Sequence, residues 1–558
     1  MSDLPDQSKL STGVIILLTV VLGAMSAGTG WGIRGQYGHE TGAMMAGCLF
    51  GFITVFLCAP QLSSLSAARA VALCALGVSI GGSMTYGQTV GLTHDREIIG
   101  NLDAYRWGMI GLALKGGCWI GLCGTFFGIG LSRVRYRPFE MLILLVALVM
   151  IYFFGVWFFN TPFDPETKTL PRFYFSDNYL FEPDAEIKPR VETWGGMFAG
   201  LIALLAYARV IKGDRLAFRL GLWATLGGAC GFPGGQWFQA TNAWTPEFFS
   251  ESPVGFITSK FNWWNIMETT FGTIWGAILG LGVALNRHLI GTKEESDAQD
   301  VELTLGAEWA LLAIHVGSIV GHEFFEFFPL DIFMSFSWTM ILIPVAGVIG
   351  GRLWPYLMPL LVLSVPIAGK TFRGLTINHE DFAMTTLLWA YCALAVVWAI
   401  AAVLITQRRA AVRVWVLLAT VVFAAGPILY RGYKAWQHAQ TPVAEGTESV
   451  PLGLSAPYGI GAFLVAPLVI SLVFGFALSL RPDAPSRAFT RWGTIIASLT
   501  FFGLNFAFFG YPWRWYPIED WGGRHANNLY FEITCILMIL TVLVWGWRSN
   551  SIESLTDE

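Results

Sequence analysis

Four histidines in this chain are followed directly by an acid: His39-Glu40, His94-Asp95, His322-Glu323 and His379-Glu380. Imidazole beside carboxylate is the usual material for proton transfer and general acid–base work, because a neighbouring negative charge favours the imidazolium. Two of the pairs sit in the same Gly-His-Glu string, at residues 38–40 and 321–323. His39, Glu40, His322 and Glu323 are therefore expected in one site that governs pH dependence, with His379 and Glu380 as further candidate catalytic groups. Each pair taken alone also fits a solvated loop. The spacing matches no HExxH or other ligand signature, so neither a metal nor a cofactor is expected.

A second pattern is a Gly-Gln step at the end of an apolar run, at Gly35-Gln36, Gly87-Gln88 and Gly235-Gln236. Trp31 and Arg34 precede the first step, His94 and Asp95 follow the second, Trp237 follows the third, and Glu268 opens the next apolar run. Lys370 and Arg373 lie in another polar string, Gly369–Asp381. Glutamine offers both a donor and an acceptor, and tryptophan a flat apolar face. That mixture suits a small hydroxyl-rich solute such as a sugar. Trp31, Arg34, Gln36, Gln88, His94, Asp95, Gln236, Trp237, Glu268, Lys370 and Arg373 are the expected solute-binding residues. The competing reading of the same glycines is a seam of close helix packing. Lys115, isolated in an apolar run, reads either as half of a buried ion pair or as a cation reaching a wet gap.

These residues must be positioned by membrane helices. Of the 558 residues, 54% are hydrophobic and 13% charged, about half the charge of a soluble domain. Apolar runs recur at a length of about 20 residues, enough to span a bilayer as a helix. They lie near 13–33, 42–61, 67–90, 108–131, 139–159, 193–211, 217–236, 265–286, 305–324, 330–350, 353–370, 382–405, 412–430, 457–480, 489–510 and 528–547. The fold class is all-α: a polytopic transmembrane helix bundle of about 14–16 spans, with glycine-broken helices and an internal repeat as expected features. The repeated units are 13–61 and 217–286, each a Gly-Gln step, an aromatic, then Glu-Thr opening a small-residue helix.

The whole of 1–558 reads as a single integral membrane domain. Its longer outer loops, at 160–192, 237–264, 431–456 and 511–527, are too short for a core of their own. Basic residues gather in short turns: Arg133, Arg135 and Arg137; Arg209, Lys212, Arg215 and Arg219; Arg408, Arg409 and Arg413; Arg481, Arg487 and Arg491. With sixteen spans these turns share one side with both termini. The positive-inside bias makes that side cytoplasmic, in a multi-pass cell-membrane protein of the bacterial inner-membrane type. The polar strings then face the extracytoplasmic side. The net charge of −4 excludes a basic nucleic-acid binder. The eight cysteines all fall in apolar stretches and read as small buried hydrophobes. The expected partners are the lipid bilayer and a small polar solute, and nothing in the sequence specifies an oligomeric state. Two functions fit: a secondary transporter of that solute, or a membrane-embedded hydrolase or transferase acting on an extracytoplasmic or lipid-linked substrate through His/Glu acid–base residues.

Overall fold

In lipid each backbone N–H and C=O needs a partner within its own segment, so apolar runs of this length become helices. The computed structural model describes residues 11–34, 41–292 apart from 83, 185 and 187, the single residues 306 and 310, and 485–509 and 523–556. Every expected span within those limits is helical, and among the described residues there is no β-strand. The helices are α1 (Thr12–Arg34), α2 (Thr41–Cys58), α3 (Ser64–Gly81), α4 (Gly87–His94), α5 (Leu102–Leu131), α6 (Pro138–Phe159), α7 (Trp194–Ala206), α8 (Arg215–Trp244), α9 (Glu247–Ser250), α10 (Gly255–Thr258), α11 (Trp263–Leu285), α12 (Ser486–Phe509) and α13 (Gly523–Thr556). A π-helical turn, Tyr207–Ile211, extends α7. Among the described residues, six segments are long and apolar enough to cross a membrane: Thr12–Arg34, Ser64–Gly81, Leu102–Leu131, Trp194–Ile211, Trp263–Leu285 and Asn527–Trp545. The spans expected from 330–350 to 457–480 lie outside the described residues, and so does 305–324 apart from Gly306 and Ala310.

Six helices close a ring. α1 packs on α2, α2 on α3, α3 on α5, α5 on α8, α8 on α11, and α11 back on α1. The α6–α7 pair stands against α5 and α8, and α12–α13 against α2 and α1. Aromatic side chains fill the ring. Trp31 of α1 meets Trp119 of α5 across it at 5.0 Å between ring centroids, and also meets Phe271 at 4.6 Å and Trp275 at 6.1 Å. Phe232 of α8 stacks on Phe271 at 4.5 Å. The perimeter is apolar as well: α6 exposes Ile143, Val146, Met150, Phe154, Trp157 and Phe158, the surface expected of a helix facing lipid rather than water.

The glycine strings resolve differently from one another. In the third span the helix does break, ending at Gly81 and restarting at Gly87 as the short α4. The string of the seventh span does not break its helix, nor does the described part of the first, whose residues 35–40 lie outside the described residues. α1 stays helical to Arg34, and α8 runs unbroken through Gly227–Gly235, with Pro233 inside it, as far as Trp244. Packing is the physical reason. A methyl group added at Gly30 would collide with the backbone of Ala46 in α2, and one at Gly228 with the carbonyl oxygen of Gly116 in α5. Glycine here buys backbone-to-backbone approach. The segment 237–264, expected as an outer loop, holds the end of α8, then α9, α10 and the start of α11. The segment 431–456, and 511–527 up to residue 522, lie outside the described residues. Cys230 is exposed on α8, unlike the other described cysteines, which are buried.

The basic turns at Arg133 and Lys212 share one end of the bundle, while that at Arg408–Arg413 lies outside the described residues. Arg133 Nη2 donates to the His288 carbonyl at 2.8 Å, Arg287 to Thr12 Oγ1 at 2.8 Å, and Lys212 pairs with Glu140 at 3.0 Å. At the same end Ser486, beginning α12, donates its amide to Leu62 O at 2.9 Å. Helix caps fix where these turns begin: Asp214 accepts from Ala217 N at 3.0 Å to start α8, and Ser63 from Ser66 N at 3.1 Å to start α3. The opposite end carries the C-termini of α1, α3 and α8 and the N-termini of α5 and α11, with segment 160–193 held against α4 and α5.

Candidate functional site

The helix that carries Trp31 ends on Arg34, where the negative end of its macrodipole favours a cation. Arg34 is fully buried. Its Nη2 donates to Glu268 Oε1 of α11 at 3.0 Å and to the Tyr86 hydroxyl at 2.6 Å. Aromatic faces surround the guanidinium carbon: Trp31 at 4.9 Å, Tyr86 at 5.2 Å and Trp119 at 5.4 Å. Glu268 is buried too, and Trp264 Nε1, one turn earlier on α11, donates to its Oε1 at 3.2 Å. Asn265 donates to the Gly32 carbonyl at 2.7 Å, satisfying an orphan carbonyl of the last turn of α1 and locking the two helices in register. Asn527 of α13 donates to Asn265 Oδ1 at 3.2 Å. One ion pair thus joins α1 to α11 at the top of the aromatic filling.

Next to it, α4 supplies a polar seam with α8. Gln236 Nε2 donates to Thr93 Oγ1 at 2.7 Å, and Trp244 Nε1 to Thr93 O at 2.8 Å. His94 has Nδ1 at 3.0 Å from the Val90 carbonyl and Nε2 at 3.2 Å from Gln239 Nε2. A carbonyl only accepts, so Nδ1 carries the proton and Nε2 accepts from the Gln239 amide. The His94 ring lies 6.2 Å from that of Trp264, which ties the seam to the ion pair. The side-chain oxygens of Gln236 and Gln239 are buried without a hydrogen-bond partner among the described residues, as is Trp31 Nε1.

A second buried ion pair lies on the other flank of α4. Lys115 Nζ donates to Glu192 Oε1 at 2.9 Å, Thr89 Oγ1 at 2.8 Å and the Thr85 carbonyl at 2.6 Å. Glu192 also accepts from Phe175 N at 3.3 Å. The 160–193 segment is pinned further where Trp107 Nε1 donates to Tyr174 O at 2.6 Å and Thr89 Oγ1 to Phe175 O at 2.8 Å. Burial pushes the Asp177 carboxyl above the usual range, although the Tyr179 amide and the Tyr174 hydroxyl donate to it.

Of the residues expected to bind solute, Trp31, Arg34 and Glu268 come together, and His94 and Gln236 adjoin them through α4. Gln88 is on α4 but turns to segment 160–193, where its amide oxygen, oriented toward the guanidinium, accepts from Arg190 Nε at 3.2 Å. Gln88 and Gln236 therefore share a helix contact and not a partner. Asp95 is half exposed, 3.8 Å from His94 Nδ1, and Trp237 is on the surface, 42% exposed, against Phe238 and Phe248. Gln36, His39, Glu40, His322, Glu323, Lys370, Arg373, His379 and Glu380 lie outside the described residues. Sequence reasoning passed over Tyr86, Trp119, Trp264, Gln239 and Glu192. Tyr86 and Gln239 stood inside polar strings beside glutamines that were chosen. The other three carried no local signal, since only the packing of α5, α11 and segment 160–193 makes them neighbours of a charge. Comparison with protein families, with curated proteins and with solved structures finds no match to this chain.

Proposed function

We propose that the protein is a secondary transporter of a small polar solute, with Arg34 and Glu268 at the heart of its solute site. The observation that carries the reading is this one ion pair, buried in a membrane bundle and enclosed by aromatic rings. Charged groups are costly at such positions, and where they occur they tend to mark a substrate or ion pathway. Its place supports the same reading. The two hairpins expected as repeats, α1–α2 and α8–α11, meet along α1 and α11, and repeat-built carriers hold solute at the repeat interface. The small residues along that contact, Gly23 and Gly28 facing Gly276 and Gly272, let two helix surfaces lie close without interlocking side chains.

The solute itself is read from the site's chemistry. The rings expected to stack on a sugar are engaged elsewhere, Trp31 with Arg34 and its aromatic neighbours and Trp237 at the surface. This shifts the weight from stacking toward charge. The enzyme reading gains nothing from His94, whose two ring nitrogens are both spent on holding α4 to α8. On the transporter reading the end bearing Arg133, Lys212 and Arg287 is cytoplasmic, as the positive-inside bias requires.

Purified protein reconstituted in liposomes, given a panel of labelled small solutes and an imposed proton gradient, tests the proposal. At least one solute should accumulate in wild-type vesicles and not in vesicles of Arg34→Lys, which keeps the charge and loses the planar fork. Leak-level flux of every solute in both would overturn it.

A further inference from the structure

We infer that His94 is a proton-binding site, and that Gln239 answers the proton by turning its amide over, so that the α4–α8 seam holds in both charge states with donor and acceptor exchanged. The inference stands independently of the transporter reading, and a proton needs no cavity. In the structure Nδ1–H donates to the Val90 carbonyl at 3.0 Å, and Nε2 accepts from Gln239 Nε2 at 3.2 Å. Gln239 is buried, and its amide oxygen has no hydrogen-bond partner among the described residues. A buried acceptor left bare is costly. A half-turn of the amide puts that oxygen where the N–H now lies. A ring with protons on both nitrogens needs an acceptor at that place, and Gln239 Oε1 supplies it through a charge-assisted hydrogen bond. One proton comes from water to Nε2, the ring gains one positive charge, and the N–H is the only covalent bond formed.

The surroundings suit a cation on the ring. His94 is the last residue of α4, where the carbonyl end of a helix favours positive charge. The Asp95 carboxylate lies 3.8 Å from Nδ1, and the His94 side chain is 19% exposed, enough for a proton to arrive from water. Trp264 of α11 presents its ring at 6.2 Å. Among the described residues the ring has no other hydrogen bond, ion pair or ring contact. Farther off, α11 carries Glu268, paired with Arg34 of α1, and α5 carries Lys115, paired with Glu192, and Tyr105, which packs on Trp244. Segment 160–193 adds Asp177, Arg96 and Glu97 follow Asp95 on the surface, and α8 faces the ring with the uncharged Gln236 and Gln239. Gln236 and Trp244 bind Thr93 whatever the charge of His94, so α4 stays on α8 while the His94–Gln239 contact reverses. The reversal takes place one side chain from the buried Arg34–Glu268 pair, because Trp264 touches the His94 ring and donates to Glu268.

The test is solid-state NMR of the full chain in lipid vesicles, with nitrogen-15-labelled histidine, between about pH 5 and about pH 8. Ring-nitrogen shifts tell a proton on Nδ1 from one on Nε2 and from protons on both. The His94 signal is the one lost in His94→Gln, or in His94→Phe where the first variant does not fold. Wild type should carry the proton on Nδ1 alone at the alkaline end. At the acid end both nitrogens should be protonated, with the Nε2–H protected from exchange with water. Gln239→Leu, which offers neither donor nor acceptor, should shift the titration to lower pH and lose that protection. Gln239→Glu, a charged acceptor that needs no turning, should shift it to higher pH. If neither Gln239 variant folds, the wild-type spectra decide alone. A ring that keeps a single proton down to about pH 5 overturns the proton site. A lone proton found on Nε2 at the alkaline end overturns the hydrogen-bond scheme and the site with it. Titration with an unprotected Nε2–H, or at the same pH in wild type and Gln239→Leu, overturns the part given to Gln239.

Discussion

Among the described residues two buried ion pairs lie on either side of α4, and they are built differently. Lys115 has three N–H donors and spends all three, on Glu192, Thr89 and the Thr85 carbonyl. Its partner comes from segment 160–193 rather than from a helix, so the pair fastens a connection to the bundle. Arg34 sits among ring faces, meets a carboxylate that belongs to a neighbouring ring helix, and adjoins side-chain groups of Trp31, Gln236 and Gln239 that lack partners among the described residues. A saturated ammonium fastens a connection, whereas the guanidinium of Arg34 joins two ring helices among aromatic faces. Burial and charge alone do not separate the two; the elements they join and the groups around the cation do.

The contrast breaks most visibly at Lys115. Replacing it with Met leaves buried Glu192 without its cation, and removal of one member of a buried pair costs about 3–5 kcal/mol. Lys115→Met should therefore lower unfolding temperature more than any other single change named here. Pairing it with Glu192→Leu should return much of the loss, because an apolar pair needs no compensation. Thermal unfolding of the single and double variants in detergent checks this. Equal instability of Lys115→Met and the double variant would mean that Lys115 does more than fasten Glu192.

A smaller effect sharpens the same comparison through the seam that carries Lys115. α5 and α8 approach so closely at Gly116 and Gly228 that a methyl group on either would meet the other's carbonyl oxygen. Gly228→Ala should cost about 1–3 kcal/mol, the range of overpacking. Gly200→Ala, where an added methyl meets nothing within 4 Å, should cost little or gain slightly from helix propensity. Unfolding curves for the two variants are expected to part in that order, and the reverse order would remove close packing as the reason for glycine here.

Much of this fold could be read from the sequence because lipid leaves few options. Apolar runs at 13–33, 108–131 and 265–286 return as α1, α5 and α11 with ends displaced by a few residues. The basic turns at Arg133 and Lys212 fall at one end as their charge foretold. Within the site, Trp31, Arg34 and Glu268 stood out because charged and aromatic residues at the ends of apolar runs are conspicuous. Trp119 and Glu192 did not. A tryptophan in mid-span looks like lipid dressing, and an acid in a loop rich in acids looks solvated. Their roles arise from contacts across more than fifty residues of chain, Trp31 to Trp119 and Lys115 to Glu192, and local spacing holds no record of such contacts. Glycine strings misled for a related reason: the same residue serves a break at Gly81 and a tight crossing at Gly228, and the facing helix decides which.

The gentlest test concerns how segment 160–193 seats over the Lys115 pair. Asp177 lies in that segment, outside the spanning helices, and burial raises its carboxyl above the ordinary range. A raised value means that the fold favours the protonated acid. The stability gained from that preference is fully present below the ordinary aspartate pKa of about 3.9. It is lost as pH rises through the higher folded value. Asp177→Asn removes the titration and keeps the shape, so the variant should gain on wild type as pH climbs from about 4 through the mildly acid range. Above that window the difference between the two should be constant. Denaturant unfolding of both proteins across these pH values gives the comparison directly. A difference that stays level throughout would show that Asp177 titrates alike in the folded and unfolded chain. A difference moving toward wild type with rising pH would show the ionised carboxylate to be the favoured form, held by the Tyr179 amide, the Tyr174 hydroxyl and the nearby positive charge of Arg190. In that case segment 160–193 would be seated by charge, like the Lys115 pair beneath it, rather than by burial.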